Sequence, residues 1–278
     1  MKISYNEATA LECSTLEKDL LLCEKIGYDF IEIRLDMLRD YLKTKTAKDL
    51  KTFFDNNRIK PHAFNALFNI NFCDDKVWEA IIDDFMLACK IGAEIDSHYV
   101  VVVPTITKEP CTRSEKDIFE DSVANLSKLS DIGRDYAMKI AFEPVGNEGC
   151  CVRTVKQGWE IVKYIDREDV GITLDPFNLY LYHKMNDFKD MKIVDTNKLF
   201  AVHVNDGDDL PLEVLDHCDR CFPGNGIINL KNYITTLREM NYKGPVSIET
   251  FRPSYWAKDP EWVIKEAYET TKKLLESV

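Results

Sequence analysis

The sequence predicts a (β/α)8 barrel, a closed sheet of eight parallel strands surrounded by helices. Short apolar strands alternate with amphipathic helices along the chain, and the stretch HYVVVV at 98–103 has five apolar residues in a row. A strand without polar alternation is typical of a parallel sheet that helices cover on both faces. Eight strands alternating with eight helical segments in 278 residues favour a barrel over an open doubly wound sheet. We expect one domain over residues 1–278.

The individual elements are predicted from periodicity and from the residues that bound them. The predicted strands are Lys2–Tyr5, Phe30–Arg34, Pro61–Leu67, His98–Val103, 139–143, 171–175, 199–204 and 245–249. The predicted helices are Thr15–Gly27, Ala47–Asn57, Asp75–Ile91, Ser114–Met138, 154–166, a polar segment at 183–194, 229–241 and Asp259–Ser277. Gly27 and Gly92 are expected to end their helices, and Ser114 to cap the next one.

Composition and charge exclude several function classes. The net charge of −12 argues against nucleic acid or an anionic membrane as the main partner. No apolar run approaches the 18 or so residues that span a bilayer, and the polar start MKISYNEATALECSTLEKD is unlike a secretory signal. Nine scattered cysteines predict a reducing cytoplasm, and the turn YNEATALE lacks the glycines of a dinucleotide-binding fold. The sequence does not determine the oligomeric state, and a homo-oligomer stays open.

Four strands in succession carry a metal-binding side chain at or near the carboxyl end. Glu143 precedes Pro144, Asp175 precedes Pro176, and His203 and Glu249 occupy the corresponding places in the next two strands. In a barrel these ends share one rim, where active sites lie. Any one of these residues alone suggests an ion pair or a cap, whereas the four together predict a site for one divalent ion: Mn, Zn, Mg or Co.

Further residues are candidates for the wall of a substrate pocket. Arg252 follows Glu249 by three positions and is expected either to hold an oxygen-rich substrate or to pair with a metal-binding carboxylate. Glu7, Glu32, Arg34 and Asn65 lie near the ends of the first three strands, where they either line the pocket or form hydrogen bonds inside the barrel. Trp256 either covers the site or packs on the last helix.

Other polar residues carry weaker signals. Cys218 and Cys221 form a lone CxxC pair without a second pair, which argues against a structural zinc. His62, His98, His183 and His217 have no partner pattern and are expected to be structural or surface residues. Asp206, Asp208 and Asp209 are predicted to form a solvated loop.

The strings around the four strand ends are AFEPVG, TLDPFN, AVHVND and SIETFRP. They resemble the xylose-isomerase-like barrel superfamily of sugar isomerases and epimerases. The likeness runs nearly end to end, through YNEAT, LCEKIGYDFIEIR, FPGNG and ETFRPSYW. Within the superfamily these strings resemble the isomerases that act on keto-cyclitols in inositol catabolism.

The resemblance implies a divalent-metal-dependent isomerase or epimerase of a small keto-polyol, either a keto-cyclitol or a ketose. The ketone and its neighbouring hydroxyl would chelate the metal, which acidifies the α-proton and stabilises an enediolate. Glu143 and Glu249 would act both as ligands and as the two bases, with Asp175 and His203 as structural ligands. Each role is carried over from the family's motif.

One position departs from the family pattern. Members usually carry a histidine three residues after the aspartate ligand, and this chain has Asn178 there. An amide can hydrogen-bond a substrate hydroxyl but cannot relay a proton at neutral pH. A dehydratase with the same site and a non-catalytic sugar-binding barrel therefore stay open as alternatives. The acidic charge and the five histidines disfavour a three-metal endonuclease.

Overall fold

The computed structural model describes residues 1–278 and contains a closed barrel of eight parallel strands. The strands are β1 (Ile3–Asn6), β2 (Phe30–Arg34), β3 (Lys60–Leu67), β4 (Tyr99–Val102), β5 (Lys139–Phe142), β6 (Val170–Leu174), β7 (Leu199–Val204) and β8 (Val246–Ile248). Each strand pairs with its neighbours in the sequence, and β1 closes the ring by pairing with both β2 and β8. The predicted (β/α)8 barrel is therefore confirmed.

Ten α-helices surround or follow the strands. They are α1 (Leu16–Ile26), α2 (Leu35–Tyr41), α3 (Ala47–Asn56), α4 (Asp75–Ile95), α5 (Glu115–Gly133), α6 (Val155–Ile165), α7 (Pro176–Leu181), α8 (Leu230–Glu239), α9 (Pro253–Trp256) and α10 (Pro260–Glu276). The three short helices α2, α7 and α9 were not predicted from the sequence. The segment predicted at 183–194 contains a 3₁₀ helix over Phe188–Ile193 instead.

Two glycines that were both expected to end helices have different roles. Gly27 ends α1 in a left-handed conformation with φ of 117°, as predicted. Helix α4 instead continues through Gly92 and ends at Asp96, which itself takes the left-handed conformation. A Cβ atom on Gly92 would lie 2.3 Å from the carbonyl oxygen of Ser97. Gly92 is therefore needed for close packing, and the prediction that it ends the helix was wrong.

The two faces of the barrel strands pack into two separate apolar clusters. Along β4, Val100 and Val102 pack outward into a cluster of 65 buried apolar residues, and Val101 packs into a second cluster of eight. Ala141 and Ala201 belong to this second cluster, in alternation with the outward core residues of their strands. No helix is long and apolar enough to cross a membrane.

Candidate metal centre

The carboxyl ends of β5 to β8 bring together four potential metal ligands. Glu143, Asp175 and Glu249 each follow the last residue of a strand, and His203 lies within β7. One ligand atom from each residue lies within 4.8 Å of the others, and all four residues are buried. These are the four residues that the sequence analysis placed at one rim.

The imidazole of His203 lies at the middle of this cluster. Its Nδ1 atom is 3.2 Å from Glu143 Oε1, 3.4 Å from Glu249 Oε2 and 3.7 Å from Asp175 Oδ2. Burial opposes a charge on the ring, but Glu249, Glu32 and Glu143 outweigh it and raise the pKa of His203 well above its usual value. Burial raises the pKa of Glu143. The three glutamates around His203 therefore favour a positive charge on its ring.

Arg220 is a residue of this site that the sequence analysis missed. Its side chain is buried, with Nη1 2.6 Å from Glu249 Oε2 and Nη2 3.6 Å from Asp175 Oδ2. The guanidinium lies over the rings of Phe177 and Phe251. Arg220 belongs to the long loop after β7, and no spacing pattern in that loop points to the strand ends.

The loop that carries Arg220 is organised by Asp206. Residues Asp206–Gly207 pair with Arg220–Cys221 in a two-residue antiparallel ladder. The buried carboxylate of Asp206 accepts backbone N–H bonds from Gly207, Gly224 and Ile228 at 2.9–3.0 Å. The prediction of a solvated Asp206 was wrong, because its buried oxygens accept backbone N–H groups from both sides of the loop, including Gly224 of the FPGNG segment.

Amide side chains orient the three carboxylates. Asn178 donates to Glu143 Oε1 at 2.9 Å and accepts from Arg220 Nη2 at 3.0 Å.

Asn6 and Asn65 donate to Glu249 Oε1 at 2.9 and 3.2 Å. Asn205 donates to Asp175 Oδ2 at 2.6 Å. Asn6 and Asn205 were missed, because a lone asparagine at a strand end carries no sequence signal.

A cavity of about 320 Å³ borders the cluster. Glu143 and Glu249 line it together with three predicted pocket residues, Arg34, Asn65 and Asn178. Phe68, Val103, His217, Arg220 and Phe251 also contribute to its wall. The cavity is large enough for a small cyclic molecule and offers both polar and aromatic surfaces to it.

His217 brings an uncharged imidazole to this cavity. Its ring centroid lies 6.3 Å from that of Phe177 and 6.2 Å from that of Phe251. Burial, assisted by the charge of Arg220, lowers the pKa of His217 to about 4. The ring is therefore neutral at pH 7. Its place in the cavity wall was not visible in the sequence, since it lies in the same long loop as Arg220.

Four predicted pocket residues lie outside the cavity wall: Glu7, Glu32, Arg252 and Trp256. Glu7 is fully buried and accepts the backbone N–H of Arg34 at 2.7 Å. Arg252 pairs with Asp208 at 2.9 Å, and the indole N–H of Trp256 donates to the carbonyl of Ala8 at 3.0 Å. The chain enters helix α9 at Pro253, which directs the segment after Phe251 away from the strand ends.

Comparison with known proteins identifies close relatives. The family model described as xylose isomerase-like TIM barrel matches residues 20–274. An inosose isomerase of Halalkalibacterium halodurans is 42% identical over 98% of this chain and 95% of its own length. The inosose isomerase of Bacillus subtilis is 41% identical over 98% and 96%. A crystal structure of IolI protein with a bound zinc atom superposes with a TM-score of 0.93 at 39% identity, covering 100% of this chain and 99% of the other.

Proposed function

Because the chain belongs to the xylose isomerase-like TIM barrel family, we propose that it is a divalent-metal-dependent isomerase whose substrate is an inosose, a ketone of a cyclitol. The observation that carries this proposal is the convergence of Glu143, Asp175, His203 and Glu249 beside a cavity. Inosose isomerases about 40% identical over nearly the whole chain support the choice of substrate. All nine cysteines are free thiols, which supports a cytoplasmic location.

The charge and the chemistry of the cluster fit a divalent cation. Three carboxylates of the cluster and the adjoining Glu32 face one permanent cation, Arg220, and two histidines, His203 and His62, that carry a charge only when protonated. This excess of buried negative charge is unfavourable unless a cation compensates it. Three oxygen donors and one imidazole nitrogen suit zinc, manganese, cobalt or magnesium. Zinc is the first to test, because the IolI structure contains it.

We assign the ion to Glu143, Asp175, His203 Nδ1 and Glu249. When bound, a divalent ion supplies Lewis acidity that makes the proton beside a ketone easier to remove. Glu143 and Glu249 border the cavity, so one of them, as a carboxylate, can take the proton from the carbon beside the ketone, and the other, as a carboxylic acid, can deliver its proton to the former carbonyl carbon. The proton of the neighbouring hydroxyl passes to the former ketone oxygen. The overall reaction moves the ketone by one carbon through an enediol.

The remaining wall residues would hold and orient the polyol. Asn178, Arg34 and Asn65 offer hydrogen-bond donors to hydroxyl groups within the cavity. The guanidinium of Arg220 fixes Glu249 and Asn178 at the same time, so the base and the amide keep a constant separation. Phe251 and Phe68 line the cavity and offer apolar surface to the carbon skeleton of the substrate.

Proton NMR in D₂O tests the proposed reaction directly. Purified protein, reconstituted with zinc or manganese, is incubated with 2-keto-myo-inositol. We expect deuterium at the carbon beside the ketone and accumulation of the isomeric inosose. Exchange without the isomer would assign the chemistry to another substrate, and an unsaturated product would assign it to a dehydratase. No exchange by protein that binds metal would refute the assigned isomerase activity.

Two substitutions test the roles of the bases. Glu143→Gln and Glu249→Gln are each expected to lower kcat by on the order of 10³-fold, because an amide cannot accept the proton. Glu213→Gln, on the exposed part of the long loop, is the matched control. Circular dichroism establishes that each variant is folded. Near-wild-type turnover in either variant of the pair would eliminate the two-base mechanism.

A further inference from the structure

Glu32 lies on the opposite side of His203 from the three carboxylates. It belongs to β2, is fully buried, and is not among the residues that line the substrate cavity. Its Oε2 atom is 3.1 Å from Nε2 of His203, whereas Nδ1 of the same ring faces Glu143, Asp175 and Glu249. The imidazole is therefore held from both of its nitrogen atoms.

Glu32 is itself held by two neighbours. Asn6 donates to Glu32 Oε2 at 2.8 Å, and His62 Nδ1 lies 3.4 Å from Oε1, an ion-pair distance. His62 is 93% buried and borders a second cavity, of about 900 Å³, at the amino ends of the strands. His203, Glu32 and His62 thus form a row that connects the metal centre with the opposite end of the barrel.

The hydrogen-bond geometry of Glu32 decides which nitrogen of His203 it can hold. Its Oε2 atom accepts from Asn6 and lies at hydrogen-bond distance from Nε2 of His203. An ionised carboxylate can only accept hydrogen bonds. A neutral imidazole has a single N–H, and the partner of that N–H decides which nitrogen is free to bind a metal. An acceptor at Nε2 leaves the lone pair on Nδ1.

We propose that Glu32 is a positioning residue of the metal centre, which fixes the ring of His203 by accepting its Nε2–H and so directs Nδ1 to the ion. His62 supports Glu32 from the amino end of the barrel. This inference rests on the proposed metal site. It assigns Glu32 no contact with the ion, since Glu32 contacts the far nitrogen of the ring.

Metal titration of three variants tests the role of Glu32. Zinc is titrated into metal-free protein in competition with a chromophoric chelator. Glu32→Gln, which keeps an acceptor oxygen, is expected to weaken zinc binding by about 10-fold, and Glu32→Leu, which removes it, by about 100-fold. Asp19→Asn alters another fully buried carboxyl group, outside the centre, and is expected to bind zinc like the wild type.

A spectroscopic readout separates positioning from a general effect of charge. In zinc-loaded protein with ¹⁵N-labelled histidine, we expect the NMR spectrum of His203 to show a protonated Nε2 in the wild type and in Glu32→Gln. In Glu32→Leu this proton should be lost or exchange rapidly with water. If Glu32→Leu does not fold, His62→Phe is used, with a smaller expected loss of affinity than for Glu32→Gln.

The outcomes distinguish this inference from the proposed function. Unchanged zinc affinity in folded Glu32→Gln and Glu32→Leu would overturn the role of Glu32. Equal losses in both variants with an unaltered Nε2 proton would also overturn it, because charge alone would then account for the result. Failure of the wild type to bind zinc, manganese or cobalt would instead reject the metal site itself.

Discussion

Two groups of buried carboxyl groups in this protein have opposite electrostatic surroundings. Glu143, Asp175 and Glu249, with Glu32 behind them, meet His203 and Arg220 on the barrel axis. Glu7 and Asp19 are equally buried near β1 and α1, yet neither forms a salt bridge. Glu7 accepts a backbone N–H from Arg34, and Asp19 accepts the hydroxyl hydrogen of Ser14.

Burial without a cation leads to proton uptake. Desolvation raises the pKa of Glu7 well above its usual value and raises the pKa of Asp19 to about 8. In the other group, two histidines lower the pKa of Glu32 despite its burial. Buried carboxyl groups at the same depth therefore differ in pKa, because desolvation dominates for Glu7 and Asp19 whereas two histidines dominate for Glu32. Glu143, which contacts His203 but also lies near Asp175 and Glu249, keeps a raised pKa.

Of the experiments that test this contrast, removal of Arg220 should change the free energy of unfolding most. We expect Arg220→Met to lower the free energy of unfolding of the metal-free protein by about 3 kcal/mol, because Glu249 is left buried without its partner. Urea denaturation measures this loss. Arg220→Lys keeps the charge and should lose less. Equal stability of Arg220→Met and wild type would mean that Arg220 does not compensate the cluster.

Addition of a divalent ion should stabilise the folded protein through the carboxylates around His203 and not through Glu7 or Asp19. At a free Mn²⁺ concentration 100 times its Kd, we expect the free energy of unfolding to rise by about 2.7 kcal/mol, since the ion binds the folded state. Manganese is preferred here because the nine free thiols of the unfolded chain bind zinc. Denaturation with and without the ion measures the effect. Asp175→Asn should abolish most of the rise and Asp19→Asn should preserve it; the reverse result would place the ion elsewhere.

The smallest effect concerns the pH dependence of the second group. Between about pH 4, the usual pKa of an aspartate, and its folded value of about 8, Asp19 is neutral when folded and ionised when unfolded. Folding then takes up a proton, so stability falls as pH rises through this window. Relative to wild type, Asp19→Asn should gain about 1 kcal/mol between pH 7 and pH 8. If the free energies of unfolding of wild type and Asp19→Asn change in parallel between pH 7 and pH 8, the pKa of Asp19 is not raised in the folded protein.

The sequence was informative where function coincides with a local pattern. Asp175 and Glu143 end apolar runs immediately before prolines, so both the strand and its end could be predicted. The same prolines were read only as stops, and helix α7, which begins at Pro176 with Asp175 as its cap, was missed. Asn178 was identified because the resembled family usually has a histidine at that position, but its hydrogen bond with Arg220 was not foreseeable from the sequence.

The sequence by itself determined the order of strands and helices and the four side chains at one rim, because both depend on periodicity within short segments. The tertiary structure decided that Arg220 returns to the rim, that Glu7 turns away from the cavity, and that Glu32 reaches the far nitrogen of His203. These depend on contacts between distant segments, such as the hydrogen bond from Asn6 to Glu249, 243 positions apart. Such contacts exist only after the barrel closes, and no local pattern encodes them.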